Sequence, residues 1–179
     1  MEICLADVRR IAVFLSSGPA LSSLMALVRI LVDGYSLLHS WPELAPRFPR
    51  HSAAARDELI ARLTQYRDAI ETPITIFFDG SGAPPGTPKP HSSAELEVLY
   101  SGRGETADDM IERAAHLFSE FGEVLAVTDD NAERETVTSL GGMASSCSNF
   151  IQTVKHTLAE LRDDIRQHNL REKKRFKKR

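Results

Sequence analysis

The chain has only two cysteines in 179 residues, Cys4 and Cys147, far apart and with no partner pattern around either. That excludes a disulfide framework and a cysteine zinc site, and it fits a reducing, cytoplasmic setting. His39, His116 and His156 show no metal-ligand spacing, so a histidine metal site is not readable. No good membrane span is present. The mostly apolar stretch Ile11 to Val28 follows Arg9 and Arg10 as in a targeting peptide, but Ser16, Ser17, Gly18, Pro19, Ser22 and Ser23 interrupt it. The expectation is therefore no membrane partner. The Gly80 to Gly86 loop has no Gly-Lys-Ser/Thr ending, which removes a nucleotide-binding P-loop.

Forty-two per cent apolar and 26% charged residues make an ordinary globular composition, enough for one domain with a sizeable core. The net charge of −3 hides an asymmetry: Arg171 to Arg179 carries +6, leaving −9 on residues 1–170. The basic end is either a solvated tail or a contact for several phosphates. Met25 lies directly before the apolar run that opens the domain, so translation starting there is the simplest reading of the N-terminus. Expected divisions are an extension at 1–26, a domain at 27–170 and a basic tail at 171–179.

Strands alternate with helices. Val28 to Val32, Ile74 to Phe78, Leu96 to Tyr100 and Val124 to Val127 read as strands, with Met143 to Ser145 as a fifth. Asp33-Gly34 reads as the start of a loop that carries Trp41, Pro42, Pro46 and Pro49. Leu59, Leu63, Tyr66 and Ile70 share one face of a helix starting near Ser52 and stopped by Pro73. Further helices are predicted over Ala107 to Phe121, Glu133 to Leu140, and along Ile151, Val154, Leu158, Leu161 and Ile165. The pattern implies βαβ units, an α/β fold with a mainly parallel sheet of about 4–5 strands, and helices on both faces.

In such a sheet, sites form beyond the carboxyl ends of the strands. Three strands run there into aspartate, at Asp33, at Asp79, and at Asp129 or Asp130. Glu105-Thr106-Ala107-Asp108-Asp109 brings more acid to a helix start expected on the same rim. Crowded carboxylates need a cation or protons, and hard oxygen donors suit Mg²⁺ or Mn²⁺. The implied reaction is phosphodiester hydrolysis by water, with no protein nucleophile. Each acid also has a local reading. Asp before Gly makes turns, Thr106 with Asp109 fits a capping box, and Asp130 is suited to begin a helix.

The run Ile30-Leu31-Val32-Asp33-Gly34-Tyr35, then Leu37, Leu38 and Trp41-Pro42-Glu43-Leu44, resembles the opening of YacP-like NYN-domain proteins, a branch of the PIN-like nucleases. The resemblance continues through Phe77-Phe78-Asp79, Val98-Leu99-Tyr100, Glu105-Thr106-Ala107-Asp108 and Thr128-Asp129-Asp130, covering roughly Leu27 to Leu170. It implies a three-layer PIN-like fold and a divalent ion held by Asp33, Asp79, Asp108 and Asp130. It also implies cleavage of single-stranded RNA, in a family linked to messenger decay and translation, which makes the ribosome a candidate partner. One position departs from the family motif: Ser36 stands where asparagine is usual. Ser36 still offers a hydroxyl to a water or phosphate, but the change favours, as an alternative, a weakened RNA- or ribosome-binding module. Candidate phosphate contacts in or near the rim loops include Arg50, Arg56, Lys89 and Arg103, each with ordinary solvated surface as its other reading. Tyr35 and Trp41 are better placed in the core than stacked on a base. A phosphatase forming an aspartyl-phosphate on Asp33 ranks last, because a second acid is wanted two residues on and Tyr35 stands there.

Overall fold

The computed structural model describes residues 27–80 and 93–176. Its elements are β1 (Leu27–Asp33), α1 (Gly34–Ser40), α2 (Ala53–Ile70), β2 (Ile74–Phe78), β3 (Leu96–Tyr100), α3 (Ala107–Phe118), β4 (Glu123–Val127), α4 (Asn131–Ser139), β5 (Met143–Ser145) and α5 (Cys147–Phe176). The five strands are all parallel, in the order β3-β2-β1-β4-β5. The chain first builds outward from β1 through β2 to β3, then returns to add β4 and β5 on the other side. The crevice where this direction reverses lies between β1 and β4, at their carboxyl ends.

Alternation along the central strands separates two cores. Ile30, Val32, Ile74, Ile76 and Phe78 face α1, α2 and the first half of α5, among Leu37, Leu38, Leu59, Leu63, Tyr66, Phe150, Val154 and Leu158. Leu31, Phe77, Val124 and Ala126 face the other way, onto Met110, Ile111, Ala115 and Phe118 of α3 and Val137 of α4. Strands buried on both faces read as continuous apolar runs, which is why β2 is buried at every position. Ser52 caps α2 by accepting the Ala55 N–H at 3.2 Å, and Glu71 ends it in the left-handed conformation, φ 58°.

Two expectations change here. The segment after Asp33 opens directly into α1 rather than a loop. Gly34 is needed there for space, since a Cβ at this position would lie 2.3 Å from the Phe78 ring. The last helix is also longer than its apolar positions suggested. It continues to Phe176, so the start of the basic tail is a further turn of α5. Thirty residues span about 45 Å at 1.5 Å per residue, more than twice the length of a five-residue strand. Leu161 and Ile165, on the continuation of the buried stripe, are 39% and 52% exposed. No described helix is long and apolar enough to cross a membrane.

Arg29 is the unusual core residue, only 1% exposed on a central strand. A bulge in the β1–β4 register falls between Leu27 and Arg29. The guanidinium donates to the Thr75 hydroxyl at 2.8 Å and the Ala94 carbonyl at 3.0 Å, lies 3.9 Å from Glu97, and sits 4.8 Å from the centre of the Phe118 ring. Burial pulls its pKa below the usual value, partly offset by Glu97. Its stem fills the space between β2 and α3, so volume and donors both contribute. Arg29→Ala should lower stability by roughly 2–4 kcal/mol in urea unfolding, and Arg29→Met by about half as much, because it keeps the stem. Equal losses in the two variants would show that the donors alone carry the effect.

Candidate metal centre at the β1–β4 crevice

Asp33 ends β1 and caps α1, its Oδ1 accepting the N–H groups of Tyr35 at 3.0 Å and Ser36 at 3.1 Å. Oδ2 is left for another partner. Asp108 sits in the first turn of α3, and Glu133 in the first turn of α4. These three, from separate segments, each bring an oxygen to within 4.8 Å of the others. Helix starts carry partial positive charge, which suits acids and partly offsets their mutual repulsion.

Glu133 is the decisive member. It is 3% exposed, and neither carboxylate oxygen has a hydrogen-bond partner of good geometry among the described residues. Burial pushes its pKa up to about 8; Thr128 opposes this next most strongly, and Asp108, Asp33 and Asp130 add to the rise. Asp108 is raised too, first by burial and then by Asp33, Asp130, Asp79 and Asp109. A buried anion with no donor of good geometry and acids around it is costly unless a proton or cation joins it. The donor set is entirely carboxylate oxygen, which fits a hard divalent ion.

The other acids are tied to backbone. Asp79 Oδ1 accepts the Ala107 N–H at 2.8 Å and the Ser101 hydroxyl at 3.4 Å, joining the end of β2 to the start of α3. Asp130 caps α4, accepting the N–H groups of Ala132 at 2.7 Å and Glu133 at 3.2 Å. Asp129 accepts the Cys147 N–H at 2.9 Å and the Ser40 hydroxyl at 2.6 Å, fastening α5 and α1 to the end of β4. Burial opposes ionisation of Asp129, but these two bonds, together with the Cys147 thiol and Arg134, outweigh it and hold the carboxyl below its usual range. Thr106 and Asp109 form the capping box that their spacing suggested, with bonds of 2.9 and 3.1 Å.

The expected RNA contacts separate. Ser36 lies beside Asp33 in α1, and Arg103 is exposed on the β3–α3 loop. Arg50 is exposed and donates to the His39 carbonyl. Arg56 does not fit its expected role. It is 2% exposed, donates to the His51 carbonyl at 2.8 Å and the Tyr35 hydroxyl at 3.3 Å, and lies 5.9 Å from the centre of the Tyr100 ring, so no phosphate reaches it in this arrangement. Lys89 falls outside the described residues. Tyr35 and Trp41 are core residues. Glu133 is the acid that sequence reasoning passed over. Its signal was there: an acid three residues after a capping Asp, on the helix that follows a strand.

The chain resembles known proteins over most of its length. Residues 30–179 match the YacP-like NYN domain family. The YacP protein of Bacillus subtilis (strain 168) is 26% identical over 127 residues, which cover 70% of this chain and 74% of that protein. A crystal structure of Rae1 (YacP) from Bacillus subtilis superposes with a TM-score of 0.68 at 24% identity, covering 80% of this chain and 81% of that one. A crystal structure of a tryptophan-to-leucine mutant of the same Bacillus subtilis protein gives 0.67 at 22% identity, covering 80% and 84%. At these identities the two structures speak to the fold, which is the PIN-like one. The chain belongs to the YacP-like NYN domain family, within the PIN-like nuclease superfamily.

Proposed function

We propose that the protein is a divalent-cation-dependent endoribonuclease that hydrolyses single-stranded RNA, messenger RNA included, in the cytoplasm, leaving 5′-phosphate and 3′-hydroxyl ends. The observation that carries this reading is the convergence of Asp33, Asp108 and the buried, unpartnered Glu133 at the crevice. Bound Mg²⁺ or Mn²⁺ would supply charge neutralisation at the phosphodiester and a more acidic water. The chain's own part is to hold that ion and to set the RNA against it. In this reading Asp33, Asp108 and the neighbouring acids form the cradle, while Ser36, Arg50 and Arg103 meet the RNA backbone. The ribosome is a partner in the same reading, presenting the messenger to the crevice.

The direct test is cleavage of a labelled single-stranded RNA with Mg²⁺, with Mn²⁺ and with EDTA, mapping the product ends. Asp33→Asn keeps an oxygen for the Tyr35 and Ser36 N–H groups, so α1 stays capped while the charge is lost. The rate should fall by on the order of 100-fold or more, with melting temperature unchanged. RNA bound but not cut by folded wild type would assign the protein to the binding-module class instead.

A second expectation concerns stability without a cation. Glu133 has a folded pKa of about 8 against an ordinary 4.5. As pH rises from 4.5 towards 8 the unfolded chain releases this proton while the folded chain keeps it, so stability declines across that window and the loss is complete above it. In EDTA, wild type should therefore melt several degrees lower at pH 8.5 than at pH 5.5. Glu133→Gln should remove most of that difference, and added Mg²⁺ should restore wild type. A wild-type melting temperature flat with pH would contradict the buried, unpartnered carboxylate.

A further inference from the structure

We infer that the protein ligands of the cation are Asp33, Asp108 and Glu133, and that Asp79 and Asp130 are positioning residues that act through the starts of α3 and α4. The inference rests on the cation-dependent reading above but divides the acids differently from the family resemblance, which implies Asp33, Asp79, Asp108 and Asp130 as ligands.

Convergence is the first ground. The oxygens of Asp33, Asp108 and Glu133 lie within 4.8 Å of one another, and neither Asp79 nor Asp130 belongs to a comparable group among the described residues. Hydrogen bonding is the second. Glu133 is 97% buried, since its exposure is 3%, and neither oxygen has a hydrogen-bond partner of good geometry among the described residues. Such a side chain is retained only where something else completes it. The other oxygen of Asp33 has no hydrogen-bond partner among the described residues once Oδ1 has capped α1.

Asp79 and Asp130 are occupied differently. The Asp79 oxygen holds the N–H of Ala107, the residue immediately before Asp108. Ser101 strengthens this tie, its hydroxyl donating to Asp79 while its oxygen accepts the Gly80 N–H at 2.9 Å. The Asp130 oxygen holds the N–H of Glu133 itself. Each therefore fixes the backbone from which one ligand projects. An amide oxygen can do that work as well as a carboxylate, whereas an ion-binding position needs the negative charge.

The experiment is Mn²⁺ titration of the full-length protein by calorimetry and by water-proton relaxation, at high salt so that distant charge differences are screened. Asp79→Asn and Asp130→Asn should bind Mn²⁺ within about threefold of wild type, whereas Asp79→Ala, which removes the acceptor, should weaken binding by roughly tenfold. Asp108→Asn and Glu133→Gln should each weaken it by about 100-fold. Glu133→Gln should melt no lower than wild type in EDTA, so its loss of binding cannot be unfolding. Wild-type affinity in Glu133→Gln would overturn the assignment, as would losses in Asp79→Asn or Asp130→Asn equal to that of Asp108→Asn. Absence of Mn²⁺ binding by wild type would overturn both this assignment and the nuclease reading. The expected pattern without RNA cleavage would remove the nuclease reading and leave the ligand assignment standing.

Discussion

Repulsion among carboxylates at one edge of the sheet is the constraint around which the rest of the molecule is organised. A parallel sheet sends every strand end, and every following helix start, to the same rim. Asp33, Asp108, Asp130 and Glu133 sit at the starts of α1, α3 and α4, and Asp129 meets the first residue of α5. The positive ends of several helices are thereby spent on keeping acids together. Asp79, Asp129 and Asp130 complete the arrangement by binding backbone N–H groups, turning part of the negative charge into the fastenings that hold the rim closed. The remaining charge, on Asp33, Asp108 and Glu133, lies where the proposed cation would sit.

Much of this was visible in the residues. The bounds of β2, β3 and β5 are those their residues predict, and β2, covered on both faces, is polar only at Thr75. The strand-end acids were legible for the same reason: an apolar run that stops at Asp stops at the rim. Helix α1 was not, since Asp-Gly ordinarily signals a turn and the true demand on Gly34 comes from the Phe78 ring, 44 positions away in sequence. Glu133 was missed because a glutamate in a short polar helix looks like surface. Only the docking of α4 on α3 and β4 reveals that it is enclosed. Arg56 failed in the opposite sense, a cation near the rim whose surroundings turned out to be aromatic rings and a carbonyl.

The two most enclosed charges of opposite sign are treated in contrasting ways. Arg29 is surrounded by a hydroxyl, a carbonyl, an aromatic face and Glu97, so the protein completes most of its site and leaves its Nε without a partner among the described residues. Glu133 has been given burial without donors. A charge satisfied internally contributes to one well-defined core, and a charge left open contributes to a site at the expense of stability.

The strand order also fixes when that site comes into being. Leu31 in β1 pairs with Ala126 in β4, so the central strand waits for a partner 95 positions later. At about 5–20 residues per second, ribosomal synthesis separates the two by on the order of ten seconds. During that interval β1, β2 and β3 can pair and collect α2, but the other face of β1 and β2 is uncovered until α3 is made, and α4 follows only after β4. Asp33 then stands at the end of a partial sheet without Asp108 or Glu133. The cluster of Asp33, Asp108 and Glu133 is assembled only when α4 docks, after most of the polypeptide has been made.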